Sequence, residues 1–286
     1  MLTGTPLDLT PFGALLTGIG WFYWLLTAAC LWWALRGNRP WKAKLLRALP
    51  VALVFGLLPG LGGWEAYKAR STFNESMALF QERCKTAGMK VYRTIENVDG
   101  VLLVNVPKAP NLHEKYDRNW VGAGLPYEGV GDDYLRTFLY WEHHEDKRNV
   151  RGYLNNVPSD LPGYRFVDVS EASGSFVRHE LLKGSGPELT RQLLTNSSAR
   201  YGVSVVNVDD QAGRVHWIAG IKVLITDMTT KELIAEHAWF TVEPGQGSNV
   251  GFRDPWLFGN TCPTPHMLGG TIRSFVDQVL KPSNRG

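Results

Sequence analysis

The chain has 286 residues, of which 44% are hydrophobic and 20% charged, and its formal net charge is +3. Residues 1–64 hold five of the 30 basic residues and one of the 27 acidic residues, which leaves 25 basic and 26 acidic residues in 65–286. The larger part of the chain is therefore almost neutral. Because a domain that binds nucleic acid needs a basic face, the composition argues against a nucleic-acid partner.

The beginning of the chain is dominated by one apolar segment. No charged residue occurs between Asp8 and Arg36, and residues 9–35 are rich in Leu, Trp, Phe and Ala. A helix needs about 20 residues to cross the ~30 Å hydrocarbon core of a bilayer, so we predict a transmembrane helix over 9–35. A secretory signal peptide fits less well, since no positive charge precedes the apolar core and a second apolar segment follows it.

The second apolar segment, 48–64, contains 17 uncharged residues. As a helix it reaches about 26 Å, which is sufficient for a thin bilayer, and we predict a second transmembrane helix there. Small residues recur on it at every fourth position, and such a stripe allows another helix to approach closely. The sequence therefore predicts a packing face against the first helix, formed by Ala48, Ala52, Gly56 and Gly60.

The charges around the two segments indicate an orientation. The connecting residues 36–47 carry five Lys or Arg and no acid, whereas Asp8 precedes the first segment and mixed charges follow the second. The positive-inside rule places the connecting residues in the cytoplasm and both termini on the other side. We interpret the chain as a two-span protein of a bacterial inner membrane with both termini in the periplasm.

Residues 65–286 are predicted to form one globular α+β domain on the periplasmic side. The pattern stays helical after Glu65, with apolar residues every three or four positions. Strict alternation over 214–226 predicts a long strand, with 233–242 as its partner. We expect a mainly antiparallel sheet that packs against the post-membrane helix and a C-terminal helix over 265–280, because no alternation of strands and helices indicates a parallel sheet.

The other strands are expected to be short and to be joined by turns rich in Gly, Asn, Asp and Ser. Long stretches without a clear pattern are expected to be loops. The predicted elements are a hairpin of 89–95 with 101–106, a hairpin of 164–169 with 176–182 and a strand over 201–208. Residues 243–263 are predicted to be a long loop, whereas 107–163 give no clear assignment apart from an apolar run, 134–141, that fits a strand or a short helix.

One run, 142–146, has the residue types of a metal site, since imidazoles and carboxylates bind divalent metals. Adjacent histidines diverge on a helix and face opposite sides of a strand, and the spacing is not that of a His-Glu-x-x-His motif. A solvated polar turn is the preferred interpretation. No cofactor is predicted, and the candidate metal ligands are Glu142, His143, His144 and Glu145.

No other polar cluster predicts catalysis. The glycines and aspartates of 129–133 and the pair Asp209-Asp210 are typical of turns. The histidines 179, 216 and 237 fall on predicted strands, the last two on solvent-facing positions, and no nucleophile motif accompanies them. Apart from the 142–146 run, the sequence shows no constellation typical of an enzyme.

Two aromatic residues, Trp256 and Phe258, lie between turn-forming residues in the second long loop. Exposed Trp and Phe favour contacts between proteins, which makes this segment a possible interaction loop. The alternative is that both side chains pack onto the sheet, because Trp is strongly buried on average.

The cysteines provide a test of the compartment. Residues 65–286 contain two of them, Cys84 on the apolar face of the post-membrane helix and Cys262 before the C-terminal helix. Disulfides form in oxidising compartments such as the periplasm. We predict a disulfide between Cys84 and Cys262, with two buried free thiols as the alternative.

These features favour a membrane-anchored binding or assembly protein of the bacterial envelope, whose partners are the lipid bilayer and a protein on the periplasmic side. An accessory subunit of an envelope machine and an immunity-type protein both fit that description. The alternative is a metal-dependent hydrolase that acts on an envelope substrate through the 142–146 run.

Overall fold

In the computed structural model the chain forms two compact units, Met1–Ser71 and Thr72–Gly286. The first unit contains helix α1 (Pro11–Leu35) and the beginning of helix α2 (Trp41–Cys84). The second contains the end of α2 and the sheet domain. The structure describes residues 11–38, 40–108, 125, 128–139, 163–182, 188–208, 210–243, 256, 259–265 and 270–283.

Both apolar segments are helical, and both helices are long and apolar enough to cross a membrane. The second helix differs from the prediction in length. It begins at Trp41 and not at residue 48, and it continues to Cys84 for 44 residues, so the second apolar segment runs without a linker into the helix expected after Glu65. The basic residues Lys42, Lys44 and Arg47 consequently lie in its first turns and not in a loop.

The stripe of small residues does not form the contact between α1 and α2. Ala52, Gly56 and Gly60 are exposed, and Ala48 is half-buried. A Cβ atom added at Gly56 or at Gly60 would meet no heavy atom within 4 Å. The expectation that this stripe packs against α1 is therefore wrong for three of its four members, because a larger side chain meets the first helix instead.

That contact is made by Tyr23 of α1 and Phe55 of α2, whose ring centroids lie 5.7 Å apart. The Tyr23 hydroxyl donates a hydrogen bond to the Phe55 carbonyl oxygen. In a helix this oxygen would accept from the N–H four residues later, but residue 59 is a proline without an N–H. Tyr23 thus supplies the donor that Pro59 removes.

The second unit is built on a mixed, mainly antiparallel sheet, which confirms the predicted α+β class at that level. Within the described residues the strands are β1 (Gly88–Val91), β2 (Ile95–Val98), β3 (Gly100–Leu103), β4 (Phe166–Ser170), β5 (Phe176–Leu181), β6 (Leu189–Leu194), β7 (Tyr201–Val208), β8 (Ile218–Asp227), β9 (Leu233–Val242), β10 (Asn260–Cys262) and β11 (Leu280–Pro282). In the same described ranges three helices accompany them, α3 (Asp132–Leu139), α4 (Gln211–Val215) and α5 (Thr271–Val279).

The strand order in the large sheet is β1-β9-β8-β7-β3-β4-β5-β6, with β10 also paired to β9. The predicted pairs β8–β9 and β4–β5 are confirmed as antiparallel neighbours. The short strand β3 is parallel to both β4 and β7. Since α3 lies between β3 and β4 in the chain, this part is a parallel crossover that the sequence pattern did not indicate.

The predicted hairpin of 89–95 with 101–106 is wrong. Its first strand, β1, pairs with the edge of β9, and the second, β3, lies in the middle of the sheet. Between them β2 pairs in parallel with β11 outside the main sheet. Asn97 has a φ of 58°, a left-handed conformation that Asn tolerates better than most residues, and it lies within β2 and not at a hairpin turn.

Both faces of the sheet are covered. On one face, alternate residues of β8 and β9 join a core with Tyr134 and Phe138 of α3 and with Phe275 and Val276 of α5. On the other face, Phe80 near the end of α2 joins a smaller cluster with residues of β8 and β9. Adjacent residues such as Ile218 and Ala219, or Ala238 and Trp239, therefore lie in different clusters, as the period of two in a strand requires.

The proline-linked hydrogen bond in the first unit can be tested by a double-mutant cycle. Tyr23→Phe should lower the thermal stability of the protein in detergent micelles by about 1 kcal/mol, the usual size of a hydrogen bond between membrane helices. In a Pro59→Ala background, where the alanine restores an N–H for the Phe55 carbonyl, the same change should have a much smaller effect. Equal effects of Tyr23→Phe in both backgrounds would contradict the link.

Candidate functional site

The end of α2 is attached to the sheet domain by the two cysteines. The structure brings Cys84 and Cys262 together with their Cα atoms 5.7 Å apart and their sulfur atoms in contact, within the range that a disulfide requires. Cys84 is the last residue of α2, and Cys262 ends β10, which pairs with β9. A bond here joins residues 178 positions apart in sequence.

An ion pair lies beside the cysteines. The guanidinium group of Arg83 donates to both carboxylate oxygens of Asp210 at 2.7 Å. The Asp210 carboxylate also accepts from the Gly213 N–H at 2.6 Å and so caps the short helix α4. These N–H and guanidinium contacts lower the pKa of Asp210. Asp210 is therefore a helix cap, which explains why the strand predicted over 214–226 starts only at Ile218.

A serine and a histidine approach each other near this point. The hydroxyl oxygen of Ser76 lies 3.2 Å from Nδ1 of His216, and Ser76 is fully buried. The same hydroxyl donates to the carbonyl of Thr72 at 2.8 Å, as serines in helices often do. A buried serine that donates its proton to its own helix is not an activated nucleophile, so the pair joins α2 to the residue that follows α4.

A second histidine, His237, lies on β9. The prediction that its side chain faces solvent is wrong. Its ring stacks on Trp239 with centroids 3.6 Å apart and meets the edge of Phe275 at 5.2 Å. Burial lowers the pKa of His237 to about 4, and its ring nitrogens have no hydrogen-bond partner among the described residues. His237 is thus an uncharged core side chain at neutral pH.

The candidate metal ligands Glu142, His143, His144 and Glu145 lie outside the described residues. Among the residues that the structure does describe, no group of three or more His, Cys, Asp or Glu side chains is placed to hold a metal ion. The acidic pair of the 129–133 turn begins helix α3, where Asp132 pairs with Arg191 at 2.9 Å and Asp133 pairs with Arg136 at 2.6 Å.

The structure describes one of the two residues of the aromatic loop. Trp256 is 4% exposed and belongs to the main core of the sheet domain. The interpretation of Trp256 as an exposed interaction residue is therefore wrong, and the alternative of packing onto the sheet is correct. Phe258 lies outside the described residues.

The most polar feature of the interior was not indicated by any sequence motif. Glu128, just before α3, accepts from the N–H of Ile272 at 3.0 Å and so caps α5, whose own cap residue Gly270 offers no side chain. In return Arg273 of α5, which is fully buried, donates to the carbonyl oxygens of Thr137 and Phe138 near the end of α3. The two helices thus satisfy each other's free backbone groups.

The charges of Arg273 and Glu128 differ in how they are neutralised. Arg273 has a carboxylate partner, since its Nε lies 2.6 Å from Asp277, and its guanidinium group lies 4.6 Å from the centre of the Tyr164 ring. For Glu128, burial raises the pKa to about 7 despite the backbone N–H groups of Ile272 and Thr271, which act in the opposite direction. Near neutral pH a fraction of the Glu128 side chain is therefore protonated.

Strand β6 forms one edge of the sheet, and most of its residues are exposed. Within the described part of the chain β6 pairs with β5 alone, and Leu193 on it is 73% exposed. The free side of an edge strand presents backbone N–H and C=O groups to which a further strand can pair.

The raised pKa of Glu128 predicts a pH-dependent stability. A carboxyl group whose pKa is higher in the folded than in the unfolded state stabilises the fold at low pH, and this contribution is lost as pH rises from about 4.5 to about 7. Glu128→Gln keeps the acceptor for Ile272 without the charge. It should match the parent near pH 5 and exceed its free energy of unfolding by roughly 2–3 kcal/mol at pH 8.

Chemical denaturation at the two pH values measures this difference. Glu188→Gln, which removes an exposed carboxylate, is the matched control and should change stability equally at both. A Glu128→Gln variant whose stability relative to the parent is the same at pH 5 and pH 8 would show that Glu128 does not titrate as the structure implies.

Comparisons of the chain with models of protein families, with curated proteins and with solved structures found no match. Its function has to be argued from its own residues. The described residues present a cysteine pair at the end of a long helix, a reciprocal cap between two core helices and an exposed strand edge.

Proposed function

We propose that this chain is a membrane-anchored protein of the bacterial inner membrane whose globular domain lies in the periplasm and binds or assembles with a protein partner. The observation that carries the proposal is the approach of Cys84 and Cys262 to a Cα separation of 5.7 Å. Disulfides form in oxidising compartments and are rare in the cytosol. A pair at bonding distance therefore favours the periplasm for this domain.

The charge pattern supports the same orientation independently. Residues 36–47, at the end of the first apolar segment and before the second, carry five positive charges and no negative charge. In inner-membrane proteins such short basic connections stay in the cytoplasm. The chain on the far side of the second span, which includes the whole sheet domain, is then periplasmic.

Binding is favoured over catalysis by what the polar side chains do. The charged groups buried in the domain are used within the fold, as caps and ion pairs, of which Arg273 with Asp277 and Arg178 with Asp168 are two. The exposed edge at β6 is a type of surface used in assembly between proteins. An accessory subunit of an envelope machine and an immunity-type protein remain the two concrete versions of this proposal.

The first test is the redox state of the cysteines. Denatured protein prepared without reductant should accept one thiol-reactive mass label, on Cys30, and three labels after reduction. The Cys84→Ser, Cys262→Ser double variant should accept one label in both conditions and lose stability, since closure of so long a loop contributes about 5 kcal/mol in the chain-entropy model.

Three labels without reductant would mean that the pair is reduced and would remove the main support for a periplasmic domain. Reporter fusions provide a second readout that does not depend on sulfur chemistry. A fusion after residue 41 should report the cytoplasm and a fusion after residue 100 the periplasm. Two cytoplasmic reports would contradict the orientation.

The second test concerns the partner. A lysine-reactive crosslinker that does not cross the inner membrane, added to cells with a permeable outer membrane, should join the full-length protein to a distinct second protein. The exposed Lys90 and Lys281 on the sheet domain provide reactive amines, and replacing them with Arg should reduce the adduct while keeping charge. Adducts obtained only with a crosslinker that enters the cytoplasm would contradict a periplasmic partner.

A further inference from the structure

One end of the helical hairpin concentrates positive charge. Arg36 follows the last residue of α1, and Lys42, Lys44 and Arg47 lie in the first two turns of α2. Arg36, Lys42 and Arg47 are exposed, and Lys44 is half-buried. Four cations therefore lie within a short stretch at the same end of the first unit.

Among the described residues of the first unit, no carboxylate lies near these cations in the chain. The sequence contains no acidic residue between Asp8 and Glu65. On a continuous helix Glu65 lies about 27 Å from Arg47, well beyond the ~8–10 Å over which exposed charges interact at physiological ionic strength. The neutralising anion for this end of the hairpin has to come from outside the unit.

Exposed tryptophans show at which depth of a bilayer the cations would lie. The cations are flanked in the chain by exposed tryptophans, namely Trp32, Trp33 and Trp41, which are 61%, 75% and 67% exposed. The guanidinium group of Arg36 lies 4.5 Å from the centre of the Trp32 ring. Trp is enriched where hydrocarbon meets headgroups. On α2 the next exposed Trp is Trp64, about 34 Å further along the helix, which matches a bilayer of ~30 Å hydrocarbon thickness.

We propose that Arg36, Lys42, Lys44 and Arg47 form a binding site for the headgroups of anionic phospholipids, of the phosphatidylglycerol or cardiolipin class. The proposal rests on the proposed function in one respect, that the hairpin spans a membrane. Arginine pairs with phosphate oxygens through two parallel hydrogen bonds, and lysine acts as a point charge. A zwitterionic headgroup carries its own cation and offers no net charge, so the site should select lipids with net negative charge.

The experiment measures which lipids stay bound. Full-length protein is reconstituted in nanodiscs that contain equal parts of phosphatidylglycerol and phosphatidylcholine, transferred to mild detergent and analysed by native mass spectrometry. The parent should retain phosphatidylglycerol in preference to phosphatidylcholine. A variant with Arg36, Lys42, Lys44 and Arg47 all replaced by Gln should lose this preference by at least about tenfold, since each cation near an anionic surface strengthens binding about fivefold.

Two matched variants control for the number and the place of the charges. Lys42→Arg with Lys44→Arg keeps the charge and should keep the preference. Lys68→Gln with Arg70→Gln removes two cations beyond the other end of the second span and should also keep it. If the Gln variant cannot be reconstituted, the parent alone is decisive, because rising salt should release phosphatidylglycerol from an electrostatic site.

Three results would overturn the site: equal retention of both lipids by the parent, an unchanged preference in the Gln variant, or retention that does not respond to salt. Soluble glycerol phosphate should not displace the lipid, and displacement would mean a site for free phosphate and not for a membrane lipid. The lipid assay does not depend on which side the sheet domain faces. If the protein retains phosphatidylglycerol selectively but both reporter fusions report the cytoplasm, the periplasmic orientation is contradicted. The lipid site is then unaffected.

Discussion

The sheet domain depends on one pair of strands, β8 and β9, that is covered on both faces. Side chains of the two strands join two separate apolar clusters, a large one along one face and a smaller one on the other face that contains Ile218, Ala238, Phe240 and Val242. The close packing leaves no room for a side chain at Gly220, where a Cβ would lie 2.7 Å from the ring of its register partner Phe240. Such two-sided burial fixes the register of the pair, since a shift by one residue would exchange the contents of the two clusters.

The same pair is the part of the fold that the sequence predicted best. Alternation over 214–226 and the turn that follows it are local signals, and local signals were sufficient for β8, β9 and the β4–β5 hairpin. The pairing of β3 with β4 and β7 joins residues far apart in sequence, and a four-residue apolar strand carries no information about its neighbours. For that reason the turn-like residues 97–100 were interpreted as a hairpin that the fold does not contain.

In the candidate site, too, some features could be predicted from the sequence and others could not. The cysteine pair could be predicted because only two cysteines occur after the spans. The cap formed by Glu128 could not be predicted, because its partner Ile272 lies 144 residues further along the chain and a backbone N–H leaves no trace in the sequence. The small-residue stripe failed for another reason: its spacing shows that a helix could approach there, but it does not show which side of α2 faces α1.

Two further buried carboxylates among the described residues are held by groups of neighbouring strands and turns. Asp168 is fully buried on β4 and receives two hydrogen bonds from Arg178 of β5, at 2.8 and 2.9 Å, and one from Ser197 at 2.7 Å. Asp227, at the end of β8, accepts from Arg200 and from the N–H groups of Thr229 and Thr230, and these contacts lower its pKa. Both carboxylates are therefore bound by neighbouring groups of the fold itself.

The position of Cys84 has a mechanical consequence. Once the side-chain contacts of α2 with the domain have broken, a force that arrives through α2 acts on β1, which has four residues and lies at the edge of the sheet beside β9. Without a covalent link such a strand would be peeled away, one hydrogen bond at a time. Once Cys84 is joined to Cys262, the load is shared with β10, which is paired to another part of the same strand β9. Tension would then act on two strands at once, and the resistance of the domain to pulling would depend on the redox state of its surroundings.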